Sequence, residues 1–177
     1  NSYNPNVPAA PTVAPDMTAA TDTGISNTDN NTGDNTPSFA IPTPPAGTTP
    51  VLLVDGKEVP ATYDPTTGTL TPTEPLTDGN HTVAIAVKDP VSGTSQPSPA
   101  LPIVIDTTAP AKPAVPTVTD DVAPVVGAIT EGSTTNDTQP NVTAPTVAAG
   151  ETPVLIVDGK EVPATANPDG TLSPTTP

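Results

Sequence analysis

Short segments in which apolar and polar positions alternate are the main feature of this sequence. Residues 81–88 alternate valine or isoleucine with small or polar neighbours, which is the period of a half-buried β-strand. Residues 100–105 follow the same pattern, and Pro102 restricts that strand to a sheet edge or a bulge because proline has no N–H for the ladder. Both segments are predicted as strands, the second as the last strand of its domain.

A β-hairpin is predicted upstream of these strands. Residues 51–54 and 57–63 flank Asp55-Gly56, a pair typical of the two-residue type I′ turn. About seven short strands separated by Gly, Pro, Asp and Asn turns, with no helical periodicity, predict an antiparallel β-sandwich of immunoglobulin-like architecture. The shorter strands are predicted at residues 11–14, 38–41 and 68–73.

One long segment of the sequence occurs twice. Residues 47–62 read GTTPVLLVDGKEVPAT and residues 150–165 read GETPVLIVDGKEVPAT. Their spacing of about 100 residues is too long for a solenoid repeat and matches a whole immunoglobulin-sized domain. The predicted fold is therefore all-β, with tandem immunoglobulin-like sandwiches.

The repeat also sets the predicted domain boundaries. Because it lacks the counterpart of residues 76–106 and hence the last two strands, the second repeat is read as truncated. We expect that repeat to be partly disordered or to be completed by another chain. The predicted parts are the end of a preceding linker (1–8), the first repeat (9–106), a Pro-rich linker (107–114) and the second repeat (115–177).

The charge balance limits the classes of partner. The 177 residues carry 4 Lys and Arg against 19 Asp and Glu, a net charge of -15. Such a polyanion repels nucleic acid and anionic membranes and attracts hard divalent cations, calcium above all. No apolar run approaches the roughly 20 residues of a membrane span, so direct membrane insertion is not expected and any export signal is expected outside this sequence.

The residue types also limit the chemistry. The absence of cysteine excludes disulfides, thiolate zinc sites and thiol catalysis. His81 is the sole histidine and has no partner residues for a zinc site or a catalytic triad, so we interpret it as a turn-to-strand residue. The sequence therefore predicts a protein that is not an enzyme. The 28 Pro and 12 Gly leave a disordered acidic linker as an alternative, which the alternation and the duplication argue against.

Two groups of aspartates are candidate calcium ligands. Calcium requires about 6 to 8 oxygen ligands, so backbone carbonyls would have to contribute in either group. The alternative is that these aspartates are solvated and cap turns, as aspartate commonly does. The first group lies at the predicted junction between the repeats and consists of Asp106, Asp120 and Asp121, with Asp16, which aligns with Asp121. The second lies in residues 21–36 and consists of Asp22, Asp29 and Asp34, without the closing Glu of an EF-hand.

Four short motifs carry a resemblance to a known family. They are DNTPSF at residues 34–39, VDG at 54–56, LTDGNHT at 76–82 and IDTTAP at 105–110. These motifs resemble those of the bacterial Ig-like repeats of giant surface adhesins, in particular the biofilm-associated proteins of Gram-negative bacteria. The resemblance implies a stalk of serial domains on the cell surface, with calcium bound near the domain junctions, where Asp106 matches the junction motif. The sequence departs from the family at Asp89, which Pro90 follows in place of Gly-Asn.

The leading hypothesis is thus a structural extender of a secreted, cell-surface adhesin, stiffened by calcium and active in cell adhesion and biofilm formation. Its expected partners are neighbouring repeats of the same chain, with self-association or contact with the biofilm matrix. The alternative is a carbohydrate- or protein-binding module of a secreted protein. Such modules usually present aromatic side chains, and this chain offers only Tyr3, Tyr63 and Phe39.

Overall fold

The computed structural model describes residues 6–176 and divides the chain into two compact units. Unit 1 ends at Thr108 and unit 2 begins at Ala109. All regular elements within the described residues are β-strands. The prediction of an all-β fold is confirmed.

Unit 1 is a sandwich of two sheets. The first sheet has the strand order β1-β3-β7-β6, and the second has the order β2-β10-β8-β4-β5, with β9 paired to β8. This arrangement corresponds to the two sheets of an immunoglobulin domain, with an extra strand on each edge of the second sheet. In chain order the strands are β1 (Asp16–Met17), β2 (Asn31–Thr32), β3 (Phe39–Ala40), β4 (Thr49–Val54), β5 (Lys57–Val59), β6 (Ala61–Asp64), β7 (Thr69–Pro72), β8 (Gly79–Asp89), β9 (Gly93–Thr94) and β10 (Leu101–Ile105).

The core lies between the two sheets and is almost entirely aliphatic. The first sheet contributes Met17, Phe39 and Leu70, and Phe39 is the one aromatic residue among the buried members of the core cluster. The second sheet supplies the other buried members of this cluster, which come from β4, β8 and β10 and are Leu52, Val54, Val83, Ile85, Ile103 and Ile105. The predicted alternation along residues 81–88 thus reflects a strand that faces the core.

The predicted hairpin forms as expected, but its second strand is shorter. Asp55 and Gly56 have φ angles of 52° and 76°, as the two central residues of a type I′ turn require. The prediction of one strand over residues 57–63 is wrong, because the strand is divided at Pro60. The part before Pro60 pairs with β4 in the second sheet, and the part after it pairs with β7 in the first sheet. Pro60 therefore marks the point where the chain crosses between the sheets.

β10 is not the edge strand expected from Pro102, because β2 and β8 flank it, but Pro102 itself lies where the β2 side of the strand is unpaired. Val104 and Asp106 donate their N–H groups to the carbonyl oxygens of Asn30 and Thr32, on the β2 side of the strand. Because N–H directions alternate along a strand, the nitrogen of Pro102 also faces that side. The parallel pairing with β2 begins only at Val104, so proline deprives the ladder of no hydrogen bond there.

The structure corrects the amino-terminal part of the repeat alignment. The predicted strand at residues 11–14 is wrong, and β1 instead lies at Asp16–Met17. Met17 pairs with Phe39 in unit 1, whereas Val118 pairs with Val142, the counterpart of Phe39, in unit 2. The register therefore makes Val118 the counterpart of Met17, and the alignment of Asp16 with Asp121 is wrong. The cause is that no hydrophobic pattern anchors the alignment before the near-identical segment.

Two serine hydroxyls complete the hydrogen bonding of β8 where prolines interrupt its neighbour. Ser95 and Ser98 are buried, and their hydroxyls accept the N–H groups of Val87 and Ile85, each at 3.0 Å. The Ser98 hydroxyl in turn donates to the carbonyl oxygen of Pro99 at 2.8 Å. The N–H groups of Ser95 and Ser98 donate to the carbonyl oxygens of the same two residues, Val87 and Ile85, so each serine hydroxyl takes the place of a backbone carbonyl acceptor.

Replacing Ser98 with alanine is expected to lower the free energy of unfolding of unit 1 by about 1–3 kcal/mol, because the Ile85 N–H would lose its partner inside the protein. Denaturant unfolding measures the change. Ser26→Ala is the matched control, since the Ser26 hydroxyl makes its hydrogen bonds at the surface. Equal stability of the two variants would contradict the role of Ser98.

Unit 2 repeats the first sheet of unit 1 but only the hairpin of its second sheet. The first sheet has the order β12-β11-β13-β17-β16, and β14 and β15 form a separate two-stranded sheet. Of the buried hydrophobic residues among residues 6–176, only Val142 and Leu172 belong to unit 2. Its strands are β11 (Val118–Asp120), β12 (Gly127–Ile129), β13 (Asn141–Thr143), β14 (Leu155–Val157), β15 (Lys160–Val162), β16 (Ala164–Ala166) and β17 (Thr171–Pro174).

Candidate metal centres

The polar segment of residues 21–36, called the acidic loop below, is organised around one buried threonine. The Thr32 hydroxyl donates to the carbonyl oxygen of Thr21 and accepts the N–H groups of Thr23 and Asp34. Thr32 is 2% exposed. One hydroxyl thus ties three parts of the loop together, and β2 joins the loop to the edge of the second sheet.

Asp22 is the buried carboxylate of the acidic loop. It is 3% exposed, and its Oδ2 atom accepts the Asn30 N–H at 3.0 Å. Its Oδ1 atom is buried without a hydrogen-bond partner. An unpartnered buried carboxylate oxygen is costly unless a proton, a water molecule or a cation satisfies it. The lack of a partner for Oδ1 of Asp22 therefore points to a ligand, and it does so independently of the acidic composition of the loop.

Unit 2 has a second buried arrangement of carboxylates. Thr135 donates its hydroxyl to Oδ2 of Asp120 and accepts the N–H of Asp137 at 2.9 Å, so it links the two aspartates. Asp120 and Asp137 are 6% and 9% exposed. The Oδ2 atom of Asp137 is buried without a partner, as Oδ1 of Asp22 is in unit 1. Two carboxylates beside one hydroxyl offer hard oxygen ligands of the kind that calcium prefers.

Most of the aspartates predicted as calcium ligands use one oxygen to close a turn. In each case the Oδ1 atom accepts the N–H group two residues further on, which is the hydrogen bond of an Asx-turn. This agrees with the alternative interpretation of these residues. It leaves the second carboxylate oxygen of Asp29, Asp34 and Asp106 for another ligand, whereas that of Asp120 already accepts the Thr135 hydroxyl. The turns are formed by Asp29 with Asn31, Asp34 with Thr36, Asp106 with Thr108, and Asp120 with Val122.

The remaining predicted residues lie at the surface. Asp16 is an exposed residue of β1, opposite Ala40. Asp121 is exposed and accepts a hydrogen bond from the side-chain amide of Asn141 at 3.1 Å. Asp89, where the sequence departs from the family, accepts the N–H groups of Val91 and Ser92, and these hydrogen bonds lower its pKa.

The structure brings these residues together only in part. Asp106 belongs to unit 1, whereas Asp120 and Asp121 belong to unit 2, so the junction site stays a prediction. Within residues 6–176 no three acidic or histidine side chains lie close enough together to form a metal site. A calcium ion would therefore have to take most of its ligands from carbonyl, hydroxyl and water oxygens.

A charged pair that the sequence did not reveal holds the β4–β5 turn against β8. Nδ1 of His81 lies 2.7 Å from Oδ2 of Asp55, and Nε2 lies 2.7 Å from the carbonyl oxygen of Thr77. Oδ1 of Asp55 accepts the Thr82 N–H at 2.9 Å. Both ring nitrogens face acceptors, which only the doubly protonated imidazolium can satisfy. The hydrogen bond to Asp55 is the main cause that raises the pKa of His81, and the same bond lowers the pKa of Asp55.

The stability of unit 1 is expected to fall between about pH 5.5 and pH 8.5. Because the folded-state pKa of His81 is raised, its stabilisation is complete below the ordinary value of about 6.5 and is lost as the pH rises through the raised value. The Asp55 side chain is half exposed, so the change should not exceed about 1 kcal/mol. Urea unfolding at both pH values tests this, and His81→Gln should abolish the difference. An unchanged difference in that variant would assign it to other groups.

Comparison with known protein families identifies residues 8–107 as a bacterial Ig-like domain. No curated protein matches the chain. No helix within residues 6–176 is long and apolar enough to cross a membrane. The matched residues make up more than half of the 177 and contain the whole sandwich of unit 1. This chain belongs to the bacterial Ig-like domain family.

Proposed function

We propose that this chain is part of the stalk of a secreted, cell-surface adhesin related to the biofilm-associated proteins, and that it mediates cell adhesion and biofilm formation as a structural extender. The duplication carries this proposal: one hairpin sequence recurs in two compact units, with the Pro-rich residues 107–114 at the boundary between them. Domains repeated in series add length to a stalk. No step of this function is catalytic.

The charge of the chain supports this role. A net charge of -15 keeps the units solvated and limits non-specific association with nucleic acid and anionic membranes. The same charge makes a divalent cation an effective ligand. We propose neighbouring repeats and the biofilm matrix as partners, because such a cation can help to join their surfaces to this chain.

We further propose that calcium binds at the buried carboxylates of both units. Oδ1 of Asp22 and Oδ2 of Asp137 supply the ligand atoms that lack partners, and Asp120 contributes to the second position beside Thr135. The surrounding carbonyl, hydroxyl and water oxygens would complete the coordination. Since calcium would bind the folded state alone, it would raise the melting temperature. It would also stiffen the turns to which these carboxylates belong.

Thermal melts and small-angle scattering of the 177-residue chain, in millimolar calcium and then in excess chelator, test the proposal. We expect calcium to raise the melting temperature, and the rise to shrink in Asp22→Asn and Asp137→Asn. Glu58→Gln and Glu161→Gln are the charge-matched controls, because both glutamates are exposed at equivalent positions of the hairpin. A melt unaffected by calcium would overturn the calcium site. A scattering profile that is compact in both conditions would overturn the extended stalk.

The alternative of a carbohydrate-binding module finds less support in unit 1. Sugar rings usually stack on exposed aromatic side chains, and an apolar groove of unit 1 has none in its lining. Alanine, proline, threonine, valine and isoleucine line that groove, among them Pro11, Ile41, Pro50 and Ile85.

A further inference from the structure

The β14 edge of unit 2 exposes a surface that is buried in unit 1. β14 pairs with β15 on one side, and no other strand among residues 6–176 pairs with it. Val154 and Val157 are 55% and 47% exposed, whereas their counterparts in β4, Val51 and Val54, are 7% and 6% exposed. Residues 154–157 read VLIV and residues 51–54 read VLLV, so the difference in exposure comes from what covers these segments and not from their residues.

Unit 1 shows what covers this surface. β8 lies antiparallel against β4, with Val54 opposite Val83, Leu52 opposite Ile85 and Thr49 opposite Lys88. All residues from Val83 to Val87 are buried there. An apolar strand in this register therefore removes the edge from water.

The turn of unit 2 also keeps the polar anchor that β8 uses. Asp158 and Gly159 have φ angles of 50° and 74°, so they form the same turn as Asp55-Gly56. In unit 1 the Asp55 carboxylate accepts the Thr82 N–H and pairs with His81. The Asp158 carboxylate has no hydrogen-bond partner among the described residues.

We propose that β14 binds a strand of the β8 sequence type, supplied from outside residues 109–176 and laid antiparallel in the register that β8 keeps with β4. A valine of that strand would lie opposite Val157, as Val83 lies opposite Val54. The preceding His and Thr would contact Asp158. The occupant is thus an extended segment in which β-branched residues alternate with alanine, preceded by the His-Thr pair.

Charge favours this occupant over a second copy of β14. Each β14–β15 hairpin carries Asp158 and Glu161 against Lys160 alone, so two such hairpins have net charges of the same sign and repel each other. The β8 strand carries His81 near its start, whereas Lys88 at its other end is followed by Asp89. A histidine at the position of His81 complements the acidic turn of the hairpin, as the pairing of His81 with Asp55 does in unit 1.

A synthetic peptide of residues 76–106 added to the 177-residue chain in chelator tests the proposal. We expect one-to-one binding by calorimetry, with hydrogen exchange at residues 154–157 slowed at least tenfold. The peptide with Val83→Asp and Ile85→Asp is expected not to bind. Because these measurements use no calcium and no adhesion assay, their outcome is independent of the function proposed above.

Two variants of the chain show whether the peptide occupies β14. Val157→Asp should weaken binding at least tenfold, and it is expected to fold because Val157 is exposed. Val115→Asp, at a residue that is 94% exposed and belongs to unit 2, should bind as the unmodified chain does. Absence of binding, or binding that Val157→Asp leaves unchanged, would overturn the proposal. Dimerisation of the chain by pairing of β14 with β14, without peptide, would overturn it in favour of self-association.

Discussion

Phe39→Ala is expected to lower the free energy of unfolding of unit 1 by about 3–5 kcal/mol. Phe39 is 0% exposed and lies in β3, between Met17 on β1 and Leu70 on β7. The other buried members of the cluster are aliphatic or methionine, and the cavity left by the phenyl group would lie between them. A loss of this size is a large part of the about 5–15 kcal/mol that stabilises an ordinary domain.

Denaturant unfolding of the 177-residue chain, followed by amide signals of unit 1, measures this loss. Ile25→Ala is the control, since it also truncates a large apolar side chain but at a position that is 94% exposed. The control should change the midpoint of unfolding little. If Phe39→Ala unfolds at the same midpoint as Ile25→Ala, the core between the two sheets does not depend on this ring.

The parts of the fold that could be predicted are those in which the local residue types and the burial of the side chains favour the same structure. The Asp55-Gly56 turn could be predicted because few residue pairs adopt two positive φ angles. The strand at residues 81–88 could be predicted because its apolar residues face one core. β2 and β9 could not be predicted, since each has two residues and neither contains a large apolar side chain. Such short strands are defined by the neighbours that they pair with.

The candidate sites show a similar limit. Aspartates at turns could be recognised from their neighbours, but the burial of Asp22, Asp120 and Asp137 depends on which segments fold over them. The Thr32 hydroxyl bonds the residues on either side of Asp22, and the Thr135 hydroxyl bonds both Asp120 and Asp137. Nothing in the sequence distinguishes these two threonines from the others. The contact between His81 and Asp55 was likewise hidden, because it joins residues of two different strand ends.

The rates of amide hydrogen exchange are expected to differ strongly between the two copies of the duplicated hairpin. In unit 1, β4 is an inner strand with β5 on one side and β8 on the other, so its slowest amides should exchange through global unfolding. In unit 2, β14 has only β15 beside it and can open locally. With an unfolding free energy of about 5 kcal/mol in unit 1, protection should differ by at least about a thousandfold.

Strands β7 and β17 supply the internal control for this comparison. β7 lies between β3 and β6, and β17 lies between β13 and β16, so each is paired on both sides. The difference in protection between β7 and β17 reports the difference in global stability between the two units. Any further loss of protection at residues 154–157 reports the open edge of β14. Exchange measured by NMR on the dilute chain gives both values. Equal protection of β4 and β14 in a monomer would mean that unit 2 covers this edge by itself. The two segments are nearly identical in sequence, so we assign any difference in their protection to the strand that covers β4.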